Sequence, residues 1–218
     1  MGKWLLISSD FDGYFCEAKA PAAKGSIVLL QEIFGVNAHI REVCEHYANL
    51  GFNVLAPSLF DPVERRVELG YDDRAVVRGR QCVEGLSFDK AMAGVQQAVE
   101  WMAQRYNHDR LVVMGYCWGG SLAFLAAAKL TKIDGAICYY GRHIFDFRNE
   151  SPKVPVLYHY GRLDPMILSE QVEAVKLAQP KGEFFLYDAG HGFNCDHRKD
   201  YNSACAGLAE ERTLDFIS

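Results

Sequence analysis

A doubly wound α/β fold, with a mostly parallel sheet, helices on both faces and an N-terminal hairpin, is what this 218-residue sequence predicts. Three observations lead there. Short runs of consecutive apolar, β-branched or aromatic residues recur along the chain, as strands buried on both faces require. Helical stretches alternate with them. No low-complexity segment, repeat or linker-like shift in composition divides the chain, so residues 1–218 are read as a single domain.

The chain opens with two extended runs, 3–8 and 14–19, joined by Asp10-Phe11-Asp12-Gly13, and Asp-Gly between such runs predicts a hairpin turn. Six further strands are predicted at 27–30, 53–56, 111–114, 136–139, 156–160 and 184–187. The first helix is expected at 38–50, with Asn37 as N-cap and Gly51 just past its end. A second, at 89–105, gathers Ala91, Val95, Ala98, Val99 and Met102 on one face. Others are expected at 119–130, 169–178 and 201–216. In such folds ligands bind beyond the carboxyl ends of the strands, so the loops there are where chemistry is sought.

Composition excludes several classes. Half the residues are hydrophobic, and 23 basic against 28 acidic residues leave a net charge of −5, which gives no overall field for nucleic acid. The apolar runs at 26–30 and 122–128 fall well short of the roughly 18 residues of a membrane span. Residues 4–7 are too short an apolar run for a secretory signal. Seven scattered cysteines without Cys-x-x-Cys point to reduced thiols and a cytoplasmic location.

The sharpest motif is Gly115-Tyr116-Cys117-Trp118-Gly119-Gly120, between a predicted strand and a predicted helix. That is the strand–turn–helix setting of G-x-S-x-G, with Cys as the nucleophile. The bend strains the central residue, and glycines two before and two after let strand and helix approach. The helix N-terminus favours a thiolate. Asp164 follows the strand 156–160 and His191 follows 184–187, in the order acid then His and on the same sheet edge as Cys117. Backbone N–H groups of Ile33 and Trp118 are the expected oxyanion donors, one from the loop after an early strand, the other following the nucleophile.

These segments, with Gln31-Glu32-Ile33-Phe34-Gly35, Ala189-Gly190-His191-Gly192-Phe193 and Arg212-Thr213-Leu214-Asp215-Phe216, resemble the dienelactone hydrolase family over nearly the whole chain. The resemblance implies an α/β-hydrolase fold and opening of an enol-lactone, or cleavage of a related ester, by a Cys117–His191–Asp164 triad through a thioester. It also implies that Glu32 hydrogen-bonds the resting thiol and, on substrate entry, helps form the thiolate. The family's best-known substrate carries a carboxylate held by two arginines. Arg78 matches the first, with Arg74 and Arg80 close enough in register to exchange with it. Cys195 stands at the second position, and Arg198, three residues on, is the substitute. Arg78, Phe34 and Arg198 are thus the substrate-binding candidates, for a small lactone or ester that is anionic if both arginines face it. Cys82 and Gly85 replace aromatic pocket residues of the best-characterised members.

His191, Cys195, His197 and Cys205 match the spacing of no common zinc module, so neither metal nor cofactor is expected. No nucleic-acid or membrane partner is expected either, and the chain is read as a monomer or small homo-oligomer. The alternatives are a non-catalytic relative that binds a small ligand in the inherited pocket, and a redox-sensing thiol protein built on Cys117.

Overall fold

The computed structural model describes all residues except 21 and 107–109. The chain runs β1 (Lys3–Leu6), β2 (Asp12–Cys16), β3 (Gly25–Leu30), α1 (Ala38–Asn49), β4 (Phe52–Pro57), α2 (Asp73–Gly85) and α3 (Phe88–Arg105). It continues through β5 (Leu111–Tyr116), α4 (Trp118–Lys129), β6 (Gly135–Tyr139), β7 (Val156–Gly161), α5 (Ser169–Ala178), β8 (Glu183–Tyr187) and α6 (Ser203–Ile217). The strands form one sheet in the order β1-β2-β4-β3-β5-β6-β7-β8. Only the β1–β2 and β2–β4 pairs are antiparallel.

Consecutive apolar residues are explained by burial on both sides. Every residue of β3, β4 and β5 is buried, and β4 touches both α1 and α3. Helix α4 is apolar all round because it is enclosed: every residue from Trp118 to Ala128 is buried, against β5, β6 and α3. Each large side chain there, such as Leu122, Phe124 or Leu125, stabilises the fold by about 1.5–3 kcal/mol relative to exposure. Among the described residues no helix is long and apolar enough to cross a membrane.

Two local features depart from expectation. The N-terminal hairpin forms, but Asp12 and Gly13 lie inside β2, paired with Leu6 and Leu5, rather than in its turn. The reversal occupies residues 8–11, where the N–H groups of Ile7 and Ser8 donate to the Phe11 carbonyl at 3.2 and 3.3 Å. Tertiary anchoring decides this: the buried Asp12 carboxylate accepts from Arg66 Nε at 2.8 Å, and its N–H donates to Asp61 Oδ2 at 2.9 Å. Helix α2 has no apolar stripe for periodicity to reveal, since its buried residues are Ala75, Gly79 and Cys82. Its start is fixed by Asp72, whose carboxylate accepts the Ala75 N–H at 2.8 Å.

Candidate active site

Strand register brings the candidates together. Leu30 pairs with Gly115, Tyr116 with Tyr139, Tyr139 with His159, and Gly161 with Tyr187. The carboxyl ends of β3, β5, β6, β7 and β8 therefore finish along one edge, and Glu32, Cys117, Tyr140, Asp164 and His191 all follow them.

The bend at Cys117 is real strain. Its φ of 54° and ψ of −113° are rare for a residue with a Cβ. The flanking glycines permit it: a Cβ on Gly115 would lie 2.1 Å from the Gly119 carbonyl oxygen, and one on Gly119 would lie 2.5 Å from those of Leu30 and Gln31. The Cys117 N–H donates to the Tyr139 carbonyl at 2.9 Å, tying the bend to the next strand.

A hydrogen-bonded chain crosses the edge. His191 Nε2 lies 3.2 Å from Cys117 Sγ, and His191 Nδ1 lies 2.7 Å from Asp164 Oδ2. Asp164 Oδ1 accepts the Met166 N–H at 2.7 Å, which fixes the carboxylate's orientation. Burial alone would disfavour the imidazolium of His191. The charge on Cys117 and the hydrogen bonds to Asp164 and Cys117 outweigh it and raise its pKa to about 10. The arrangement can hold an imidazolium beside a thiolate.

Glu32 is 1 % exposed. Its Oε1 accepts from Arg198 at 3.2 Å, and its Oε2 is buried with no hydrogen-bond partner among the described residues. Among the described residues the carboxylate's hydrogen bond thus goes to Arg198 and the thiol's to His191. Arg198 does reach inward. Its guanidinium lies about equally far from the rings of Phe34 and Tyr71, at 6.0 and 5.8 Å. Phe34 is buried, edge-on to Tyr71.

Arg78 shares the inward face of α2 with Ala75, Gly79 and Cys82, whereas Arg74 and Arg80 are exposed. Gly79 packs against the Ile33 carbonyl, so Arg78 stands near the loop that carries Ile33. Its own side chain remains 43 % exposed, with the guanidinium paired to Glu64 and 3.3 Å from Gln81 Oε1. Ile33 lies in the turn after β3, and Trp118 is the first residue of α4, where N–H groups lack intrahelical acceptors. Cys195 is buried; that burial and the Glu32 carboxylate push its thiol up to about 12, so it stays neutral. Three of the four residues weighed as metal ligands take other partners: His191 faces Cys117, Cys195 faces Tyr71, and His197 lies 2.7 Å from Glu42.

Tyr140 and Tyr71 escaped sequence reasoning. Tyr140, with φ 39°, sets its ring tilted 5.1 Å from that of His191 and buries a hydroxyl without a partner among the described residues. The signal was available, because Tyr140 follows β6 on the same edge as the other candidates. Trp118 stacks on Phe60 at 5.1 Å and approaches Phe88, which meets Phe147 at 4.9 Å. An aromatic wall therefore stands beside the bend.

A model of the dienelactone hydrolase family matches residues 11–218. A carboxymethylenebutenolidase of Pseudomonas putida is 32 % identical over 209 residues, covering 92 % of this chain and 87 % of the relative. A Salmonella typhimurium protein described as a candidate carboxymethylenebutenolidase is 32 % identical over 231 residues, covering 96 % and 83 %. Among solved structures, a candidate dienelactone hydrolase from Klebsiella pneumoniae superimposes with a TM-score of 0.86 at 26 % identity, covering 100 % of this chain and 98 % of the other.

Proposed function

Since the chain belongs to the dienelactone hydrolase family, with its α/β-hydrolase fold, we propose that it hydrolyses lactones or carboxylic esters with Cys117 as nucleophile. The observation that carries this reading is the 3.2 Å approach of His191 Nε2 to a sulfur on a strained strand–helix bend.

The Cys117 thiolate attacks the substrate carbonyl carbon, forming a C–S bond while the carbonyl π pair moves to oxygen. The N–H groups of Ile33 and Trp118 stabilise that oxyanion; losing one such donor typically slows chemistry by about two to three orders of magnitude. Collapse breaks the C–O bond, and the departing oxygen takes the proton from His191. Water then attacks the thioester, His191 accepts its proton, and the C–S bond breaks to return the thiolate and release the carboxylic acid. Asp164 keeps Nδ1 protonated so that Nε2 is the nitrogen that exchanges protons. Glu32, held by Arg198, places its carboxylate beside the site and offsets the arginine's charge.

Uncharged substrates suit this pocket better than the acidic lactone of the best-known members. Arg78 is engaged by Glu64, Arg198 by Glu32, and Cys195 is neutral. The half-buried rings of Phe88 and Phe147, packed beside Trp118, are apolar neighbours for an aryl or alkyl ester. Turnover of dienelactone, a neutral lactone and an aryl acetate should be compared in the wild type, Cys117→Ala and His191→Gln. Expected are loss of turnover in both variants and a thioester on Cys117 trapped by mass spectrometry after acid quench. Near-wild-type rates in either variant end the proposal.

A further inference from the structure

A second cluster of donor side chains lies between α1 and the segment that follows His191. His39 Nδ1 is 3.1 Å from Asp196 Oδ1, and His197 Nε2 is 3.9 Å from that same oxygen. The donor atoms of His39, Asp196 and His197 all fall within 4.8 Å of one another. Glu42 Oε2 stands 2.7 Å from His197 Nε2. We propose that His39, Asp196 and His197 bind a divalent first-row transition metal, zinc above all, with water completing its coordination.

Geometry, chemistry and burial converge on this reading. Bonds of about 2.0–2.1 Å in a tetrahedron place neighbouring donors about 3.3 Å apart, a spacing that the 3.1 and 3.9 Å separations bracket. Two imidazoles and one carboxylate, completed by water, make a borderline set that suits zinc, cobalt or nickel better than calcium or magnesium.

The independent observation is His39 itself. Its imidazole is only 3 % exposed, and Nε2 is buried with no hydrogen-bond partner among the described residues. The ring nitrogen that faces the cluster is Nδ1, the atom that would bond the metal, with Nε2 then carrying the proton. Glu32, whose Oε2 is likewise buried and without a partner among the described residues, acts electrostatically on His39. Beside the cluster lies a cavity of about 310 Å³ bounded by His39, Glu42, Asp196 and Glu210, with space for metal-bound water.

The site would not be isolated from the chemistry. Asp196 and His197 immediately precede Arg198, whose guanidinium holds Glu32. Metal at the cluster would clamp α1 to the segment running from His191 to Arg198 and so fix the arginine that positions the carboxylate.

The test is titration of the EDTA-stripped full chain with zinc chloride by calorimetry, and with cobalt chloride by absorption spectroscopy. Wild type and Cys117→Ser should each bind one zinc per chain. Asp196→Asn and His197→Gln, both at exposed positions and verified as folded by circular dichroism, should each bind at least about tenfold more weakly. The cobalt spectrum should show d–d bands without sulfur-to-metal charge transfer. Absence of stoichiometric zinc binding to wild type, unchanged affinity in both cluster variants, or a charge-transfer band that vanishes in Cys117→Ser would overturn the assignment.

Discussion

Replacing Arg198 by Met removes the cation from a carboxylate that is 1 % exposed and whose second oxygen already has no partner among the described residues. Breaking a buried pair from one side costs about 3–5 kcal/mol, because the remaining charge is left desolvated. Arg198 is itself 18 % exposed, so water can reach part of the vacated space and the lower figure, about 3 kcal/mol, applies. In a chain of this size each kcal/mol shifts Tm by about 2–4 °C, which predicts a loss of about 6–12 °C. Urea denaturation should show a lower midpoint with an unchanged m-value. The companion variant separates charge from packing: Glu32→Gln combined with Arg198→Met removes both charges and should recover most of the lost stability. A single Arg198→Met variant within about 0.5 kcal/mol of wild type, or a double variant destabilised by the sum of its parts, would refute the buried-pair argument.

Gly119→Ala drives a Cβ to 2.5 Å from two backbone carbonyl oxygens, so strand and helix must separate at the bend. A displacement of about 1 Å at the sulfur costs about a hundredfold in kcat, measurable on any ester the wild type turns over. His191 has a folded-state pKa raised to about 10 against an ordinary 6.5, so its linkage to stability is complete below pH 6.5 and lost as pH rises through 10. The stability gap between wild type and His191→Gln, from urea melts at pH 6, 8 and 10, should therefore narrow toward pH 10; a gap that widens contradicts the imidazolium assignment. Arg78→Ala should change kcat/KM for an uncharged aryl ester by less than about threefold and stability by less than about 1 kcal/mol, since it breaks an exposed pair with Glu64.

Much of this molecule is legible in its sequence because parallel strands leave two local marks. Burial on both faces turns the interiors of β3, β5 and β6 into apolar runs. A parallel sheet also puts every following loop on one edge, so knowing that Cys117, Asp164 and His191 follow strands is enough to bring them together. The Gly-x-Cys-x-Gly pattern adds a steric requirement that side chains cannot satisfy, visible in the 2.1 and 2.5 Å approaches at Gly115 and Gly119. Legibility fails where small residues pack. Ala75, Gly79 and Cys82 bury α2 without an apolar stripe, and the Asp12-Gly13 pair reads as a turn until Asp61 and Arg66 draw Asp12 into the sheet.

What no spacing could disclose is how charged groups choose among several reachable partners. Arg198 sits at a position from which it can face a substrate anion, and it binds Glu32. Arg78 lies on the inward face of α2 and turns its guanidinium to Glu64. Each choice depends on the competing carboxylate's burial, which only the folded chain sets: Glu32, enclosed, needs a cation more than an exposed group does, and so takes the better-buried arginine. The same competition bears on specificity. A substrate carboxylate entering this pocket would have to displace an internal one from Arg198 and leave Glu32 unpaired in the interior, whereas a neutral ester leaves the pair intact. Under the proposed function, discrimination among substrates follows from the identity of the group already bound to each arginine rather than from the number of arginines near Cys117.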